Sequence, residues 1–207
     1  MDTVKSATKP DLKTQIRGYL EKRGYKVTEG AKILGKSGVE HIFDMLAQRD
    51  IGFVSRIISI CIFPEGDTRI KWSAIFDFAN KSYDTAIQDR VIVSASKFNQ
   101  QAKEFADKQR IKVIDGEKIK ALLDSKSEQI AKPENTVSLD TKSQLLESLT
   151  NLGYRVEEKT KIKGRSGVEY DFDIIAYGND NFTSHTVGID VFDEMREVSL
   201  GQVTLFD

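Results

Sequence analysis

The sequence predicts an α/β protein with a mixed sheet, in which one unit occurs twice and the second copy is incomplete. A Gly-Tyr dipeptide at residues 24–25 recurs at 153–154, and a hexapeptide at 35–40 recurs nearly unchanged at 164–169. Both repeats have the same offset, because 153 − 24 and 164 − 35 each give 129. Hydrophobic residues also alternate between helical and strand-like spacing along the chain. So long an offset indicates duplicated domains, since solenoid repeats span about 20 to 50 residues.

The first copy opens with a helix over residues 12–20, whose apolar residues lie at helical spacing. Gly24 follows where a left-handed C-cap is cheap for glycine, and this ends the helix. Alternating or continuous apolar runs then predict strands at 25–33, 39–47 and 54–63. The remaining predicted elements are a helix at 72–79, a strand at 90–95, a helix at 98–106, a strand at 111–114 and a helix at 117–123. The predicted order is α-β-β-β-α-β-α-β-α.

The second copy follows the same course but stops early. Its predicted elements are a helix at 143–152, strands at 154–162, 169–176 and 186–192, and the start of a helix at 200–206. Nothing in the second copy corresponds to residues 91–123, so the second sheet should expose an edge that must be paired or covered. Either the first copy or another subunit covers this edge, or the chain is truncated or degenerate. The predicted domains are a complete one at 11–124, a linker at 125–139 and an incomplete repeat at 140–207.

The bulk composition is that of a globular protein. The chain has 207 residues, of which 39% are hydrophobic and 30% charged. No segment approaches the roughly 18 uninterrupted apolar residues that would span a bilayer, and the polar N-terminus lacks the apolar core of a secretory signal. A single cysteine, Cys61, cannot form an internal disulfide. We therefore expect a cytoplasmic protein without a membrane segment.

Charge is distributed unevenly around a net value of −1. Residues 1–130 contain 23 Lys and Arg against 18 Asp and Glu, and the remainder contains 8 against 14. The first part of the chain is thus the better candidate for contact with phosphate. An imbalance of this size is equally typical of an ordinary solvated surface.

Four features of the sequence resemble the Mrr-like branch of the PD-(D/E)xK nucleases. They are the order of elements, the Gly-Tyr that ends helix one, the turn Gly-Lys-Ser-Gly-Val-Glu-His before Phe43-Asp44, and the strand-helix pair at 91–94 and 98–105. The resemblance covers about 12–123 and again 143–207. It implies a restriction-endonuclease-like αβββαβ core, double-stranded DNA as partner and Mg²⁺ as cofactor. In that family an Asp on the second strand and an acidic-x-Lys triplet on the third bind the metal and position water, since carboxylates are hard oxygen ligands.

The motif carries over only in part. The Asp is present in both copies, as Asp44 and Asp173. Residues 61–63, Cys-Ile-Phe, stand where the first copy should have the triplet, so neither the second carboxylate nor the lysine is present. Asp190 restores one carboxylate in the second copy, again without the lysine. We therefore expect a catalytically inactive first copy and a vestigial metal site at Asp173 and Asp190.

The glycine turns provide a separate hypothesis for DNA contact. Basic and hydroxyl side chains cluster there, where backbone N–H groups and cations could meet phosphate. These residues are Lys32, Lys36 and Ser37 in the first copy, and Lys159, Lys161, Lys163, Arg165 and Ser166 in the second. Glycines that permit a tight turn and lysines that solubilise a hairpin would give the same pattern.

Three other residues favour structural interpretations. Cys61 lies on an apolar strand without a basic neighbour in the sequence, which is typical of a small core residue and not of a nucleophile. Trp72 shares helical spacing with apolar residues and is predicted to lie in the core. His41 is three residues from Asp44, which places it on the opposite face of a regular strand and predicts a surface or turn histidine.

The sequence therefore predicts a DNA-binding protein related to restriction endonucleases, with weak or no nuclease activity. One alternative is an active Mg²⁺-dependent endonuclease, of a type IV restriction or DNA-repair kind, that uses a displaced basic residue. The other is an interaction scaffold whose incomplete second repeat recruits a partner strand, including that of a second copy in a homodimer.

Overall fold

The computed structural model describes residues 10–51, 54–63, 72–124, 142–164 and 166–192. Within these ranges the chain divides into two compact units, the first with four helices and five strands, the second with one helix and three strands. The linker predicted at 125–139 and the helix predicted at 200–206 lie outside the described residues. No helix in the described ranges is long and apolar enough to cross a membrane.

The first unit contains one five-stranded mixed sheet in the order β1-β2-β3-β4-β5. Its elements are α1 (Leu12–Glu21), β1 (Lys26–Leu34), β2 (Glu40–Ile51), β3 (Val54–Phe63), α2 (Trp72–Asp84), β4 (Asp89–Ser94), α3 (Gln100–Lys108), β5 (Lys112–Ile114) and α4 (Gly116–Asp124). The first three strands are antiparallel, whereas β4 pairs parallel with both β3 and β5. This architecture confirms the predicted fold class and the predicted order of elements.

Local sequence explains both ends of α1. The side chain of Asp11 accepts a hydrogen bond of 2.7 Å from the Thr14 N–H, which satisfies one of the free amides at the helix start. At the other end Gly24 adopts a φ of +80°, and the Tyr25 N–H donates to the Leu20 carbonyl at 3.1 Å. This left-handed turn ends the helix and directs the chain into β1.

The sheet of the first unit has a core on each face. On one face, Leu20 of α1 and Ile119 of α4 pack with strand residues such as Ile60. On the other face, Ile75 of α2 and Ala102 of α3 pack with the strand residues of that face. Burial of each large aliphatic side chain contributes about 1.5 to 3 kcal/mol.

The prediction that Trp72 lies in the core is wrong, since its side chain is 65% exposed. The buried stripe of α2 is formed by Ile75, Phe78 and Ala79. Trp72 is the first residue of the helix and precedes this stripe, and its ring packs edge-on against Phe105 with centroids 6.3 Å apart.

The second unit contains α5 (Lys142–Asn151), β6 (Arg155–Lys163), β7 (Glu169–Asn179) and β8 (Ser184–Ile189), and its strands form an antiparallel sheet in the order β6-β7-β8. Gly153 has a φ of +84°, and the Tyr154 N–H donates to the Leu149 carbonyl at 3.0 Å. These features match those around Gly24 at the same offset. Among the described strands of this unit, β8 pairs only with β7 and lies at the edge of the sheet.

Candidate functional site

Asp44 lies on β2, where the register Met45 to Ile60 places it opposite Cys61 on β3. Its Oδ2 accepts a hydrogen bond of 2.8 Å from the backbone N–H of Ile62. The aspartate is thereby tied to the strand on which the resemblance places the acidic-x-Lys triplet. The structure thus joins the two strands as predicted, with one carboxylate in place of two.

The thiol of Cys61 faces this carboxylate. Burial raises its pKa to about 12, the charge of Asp44 and a hydrogen bond to it act in the same direction, and the charge of Lys81 opposes them. A thiol with this pKa stays protonated at neutral pH and is a poor nucleophile. The interpretation of Cys61 as a small core residue agrees with this environment, although its side chain is only partly buried.

Sequence reasoning missed Lys81. It lies in the last turn of α2, and its ammonium donates to the Ile42 carbonyl at 3.4 Å. The charge of Lys81 also lowers the pKa of Cys61, so its ammonium lies near the strand position where the family has its acidic-x-Lys triplet. The resemblance places the family's lysine at position 63, which is Phe63 in this sequence. Lys81 is 18 residues further along the chain, and no spacing in the sequence indicates that it lies near this position.

The second unit repeats the arrangement with a second carboxylate. Oδ2 of Asp173 accepts from the Val191 N–H at 2.9 Å, as Asp44 does from Ile62. Asp190 stands opposite Asp173 by continuation of the register Ile174 to Ile189, and its Oδ1 accepts from the Asp173 N–H at 3.1 Å. The structure therefore brings together the two residues predicted to form the vestigial metal site.

Each aspartate also lies opposite a residue in the left-handed conformation on the neighbouring strand. Gly30 of β1, with φ +57°, is opposite Asp44, and Lys159 of β6, with φ +48°, is opposite Asp173. In both ladders the pair at this position is interrupted while its neighbours remain paired. A left-handed lysine is strained, and such strain concentrates at functional sites.

The two units differ in how well they suit a divalent metal. The first offers Asp44 and a protonated thiol, and this set does not fit Mg²⁺. The second offers two carboxylates, Asp173 and Asp190, which fit an ion that keeps several of its waters. No group of three His, Cys, Asp or Glu side chains placed to hold a metal ion occurs in the described ranges of the chain.

The glycine turn of the first unit is fixed to α2 by Asp84. Its carboxylate accepts from the Ser37 N–H at 2.9 Å, from the Ser37 hydroxyl at 2.6 Å, and bonds to Nε2 of His41 at 2.6 Å. These bonds, that of the Ser37 hydroxyl foremost, lower the pKa of Asp84 to about 2. A Cβ on Gly35 would lie 1.9 Å from the carboxylate, so only glycine fits there. His41 is consequently half-buried against a helix, not a free surface residue.

Among the described residues of the second unit, no such clamp holds the corresponding turn. The ring of Tyr170 lies beside Gly164, where an added Cβ would be 2.7 Å from Cε2. Oγ of Ser166 accepts a hydrogen bond of 3.4 Å from the Val168 N–H, and no carboxylate in the described part of the chain bonds to this serine. Ser166 is therefore more available to a ligand than Ser37.

The remaining described residues that were predicted to contact DNA are exposed, and two of them form ion pairs. Lys32 lies 2.8 Å from Glu40, and Lys161 lies 3.4 Å from Asp171. Exposed pairs of this kind contribute at most about 1 kcal/mol and exchange readily for a phosphate. Lys36 and Lys163 are exposed as well, and Arg165 lies outside the described residues.

Residues 4–123 match the family model Mrr_cat, described as restriction endonuclease. No curated protein matches the chain. Among solved structures, the chain is similar to a crystal structure of a protein of unknown function, AF1548, with 19% sequence identity and a TM-score of 0.43. The alignment covers 50% of this chain and 55% of the other, so the chain spans about half the length of that protein.

Proposed function

Since the chain belongs to the Mrr_cat restriction endonuclease family, we propose that it binds double-stranded DNA and cleaves it weakly or not at all. Membership supports a nuclease-like function and implies DNA as the substrate that the fold accommodates. The proposal goes further, because it assigns binding to a chain whose catalytic motif is incomplete.

The observation that carries the proposal is the bond network of Asp44. In a working site of this family the aspartate shares a metal with a carboxylate on the next strand. Here Asp44 accepts hydrogen bonds from Ile62 and from the thiol of Cys61. Neither donor replaces the second carboxylate that a metal would need, and the first unit is therefore proposed to be catalytically inactive.

The second unit is proposed to be a duplicate of the first that retains a weak Mg²⁺ site at Asp173 and Asp190. Bound there, Mg²⁺ would neutralise charge on a phosphate. Lys159, opposite Asp173 in the strand pair, supplies the basic residue type that the triplet lacks. This juxtaposition is the observation that favours the alternative function, a Mg²⁺-dependent endonuclease with a displaced lysine.

DNA contact is assigned to the glycine turns and to Lys81 near Cys61. In the second unit the turn presents Lys161, Lys163 and Ser166, and no carboxylate in the described ranges bonds to this serine. In the first unit the clamp by Asp84 already uses the amide and hydroxyl of Ser37. The second turn is therefore expected to make the larger contribution to phosphate binding, although the surplus of Lys and Arg lies in residues 1–130.

Fluorescence anisotropy of a labelled mixed-sequence duplex tests the proposal, with EDTA present so that cleavage does not change the signal. We expect binding that weakens with rising salt. Replacement of both Lys161 and Lys163 by alanine should reduce the slope of log K against log salt by about 2, since each phosphate contact contributes about 0.9. The matched control replaces Lys108 and Lys120, two exposed lysines of α3 and α4.

An equal loss in the control pair would mean that binding depends on net charge and not on the turn. Absence of binding at micromolar protein in low salt would overturn the DNA-binding proposal. In that case the edge strand β8 becomes the feature to pursue, and a concentration-dependent dimer in sedimentation experiments would support the scaffold alternative.

Metal binding is tested without DNA. Mg²⁺ or Mn²⁺ should raise the thermal midpoint of the wild type and not that of Asp190→Asn. Plasmid nicking is then measured with Mg²⁺ present. Nicking that disappears in both Asp173→Asn and Lys159→Gln would replace the proposal by the endonuclease alternative, whereas nicking unaffected by either variant would identify a contaminant.

A further inference from the structure

Three hydrogen-bond donors of the first glycine turn and of β2 converge on the carboxylate of Asp84. Its Oδ1 accepts from the Ser37 N–H at 2.9 Å, and its Oδ2 accepts from the Ser37 hydroxyl at 2.6 Å. Nε2 of His41 lies 2.6 Å from the same Oδ2. An ionised carboxylate can only accept hydrogen bonds, so this nitrogen carries a hydrogen and donates. Both oxygens of Asp84 are therefore held in the manner of a bound anion.

The backbone of the turn leaves room for this anion. A Cβ on Gly35 would lie 1.9 Å from Oδ2 of Asp84, so the carboxylate rests directly against the glycine. The amide that follows, that of Lys36, donates to the Asp84 carbonyl at 2.8 Å. Close approach to a glycine and consecutive amides that face one partner are typical of anion-binding turns.

The same turn forms in the second unit without a bonded carboxylate among the described residues. Gly167 has a φ of +85°, against +83° at Gly38, and its N–H donates to the Gly164 carbonyl at 3.0 Å. The equivalent hydrogen bond of the first unit is also 3.0 Å long. Ser166 has no carboxylate bonded to it in the described ranges. Asp84 is therefore an addition to a turn that the glycines already define.

We infer that Asp84 occupies a phosphate site of the first glycine turn, from which a backbone phosphate of DNA displaces it. The inference rests on the proposed DNA binding and adds to it a competitor that is built into the fold. The side chains of His41 and Asp84 are 18% and 20% exposed, so a ligand in solution can reach the bonded atoms. Ser37, His41 and the exposed Lys36 then hold the phosphate in place of the carboxylate.

Fluorescence anisotropy of a labelled duplex in EDTA tests the competition by comparing the wild type with Asp84→Ala. Removal of the carboxylate should tighten binding roughly tenfold, because charge-assisted hydrogen bonds become available to phosphate. It should also steepen the slope of log K against log salt by about 0.9, since one more phosphate is contacted. Asp77→Ala is the matched control, because it removes the same charge from an exposed position of the same helix.

The double variant Asp84→Ala/Ser37→Ala assigns the gain to the turn. Loss of the Ser37 hydroxyl in this background should remove most of the gain. A gain in Asp84→Ala no larger than that in Asp77→Ala would overturn the inference, as would a gain that persists in full in the double variant. If Asp84→Ala shows no cooperative thermal transition, the isosteric Asp84→Asn takes its place. We then expect a smaller gain of the same sign, and no gain would refute the inference.

Inorganic phosphate separates this inference from the proposed function. If neither the wild type nor any variant binds the duplex, DNA binding is refuted, and phosphate is titrated at constant ionic strength while the thermal midpoint is followed. A saturable rise in Asp84→Ala, absent from the wild type and from Asp77→Ala, would support an anion site that takes a free phosphate compound. No rise in Asp84→Ala would overturn the site as well.

Discussion

The left-handed residue opposite each aspartate makes a quantitative prediction. Gly30 has a φ of +57°, and an added Cβ would meet no atom within 4 Å. Gly30→Ala therefore introduces backbone strain without a steric clash. Left-handed strain costs about 1 to 2 kcal/mol, and the smaller conformational entropy of the unfolded alanine chain offsets about 0.4 to 1 kcal/mol of this cost. We expect a net loss of about 1 kcal/mol in the free energy of unfolding.

Urea denaturation followed by the fluorescence of Trp72, the one tryptophan of the sequence, measures this loss in the first unit. With an m value of about 2 kcal/mol per molar urea, the midpoint should fall by roughly 0.5 M. Gly18→Ala is the control. An added Cβ there also meets nothing within 4 Å, but the residue lies inside α1, so alanine should raise the midpoint.

The reciprocal change tests the same reasoning in the second unit. Lys159→Gly should stabilise that unit by about 1 kcal/mol, because glycine adopts a φ near +48° without strain. Circular dichroism is the appropriate probe here. A fall in the Gly30→Ala midpoint no larger than experimental error, or a destabilised Lys159→Gly, would refute the claim that strain is stored opposite the aspartates.

Three further predictions concern the first unit. The pKa of Asp84 is lowered to about 2 from an ordinary 3.8, so the stability that its hydrogen bonds contribute is present above about pH 4 and is lost as the pH falls towards 2. The urea midpoint of the wild type should therefore drop over this pH window, and that of Asp84→Asn should drop less. Gly35→Ala should cost about 1 to 3 kcal/mol by overpacking against the same carboxylate, again measured by urea denaturation. Because the pKa of Cys61 is raised to about 12, iodoacetamide at pH 8 should alkylate the native protein on the order of a thousandfold more slowly than the unfolded chain, and Asp44→Asn should raise the native rate.

Local patterns were sufficient for the fold. Periodicity placed every helix and strand of the described residues within a few positions, because the buried stripes of the helices and the alternating strands are readable in the chain itself. The offset of 129 also transferred the glycine turns from one unit to the other, and Gly24 and Gly153 adopt the same conformation. Strand pairing then placed Asp173 opposite Asp190, as the resemblance implied.

Long-range contacts account for what the sequence did not predict. Asp84 meets Ser37 across 47 residues, and Lys81 approaches Cys61 only because α2 packs back over the sheet. Trp72 was misplaced because helical spacing identifies a stripe without stating where that stripe begins. The strain at Lys159 can be anticipated only from the repeat, since the residue at the corresponding position of the first unit is a glycine, Gly30.

A comparison of the two units separates the requirements of the scaffold from those of a site. Both units keep the aspartate whose carboxylate accepts from the facing strand, so this bond is sufficient to explain the residue in structural terms. The residue opposite the aspartate differs, cysteine in the first unit and aspartate in the second. A second carboxylate adjacent to the first is unfavourable for stability alone. Its presence at Asp190, together with a strained lysine across from Asp173, is consistent with the proposed Mg²⁺ site.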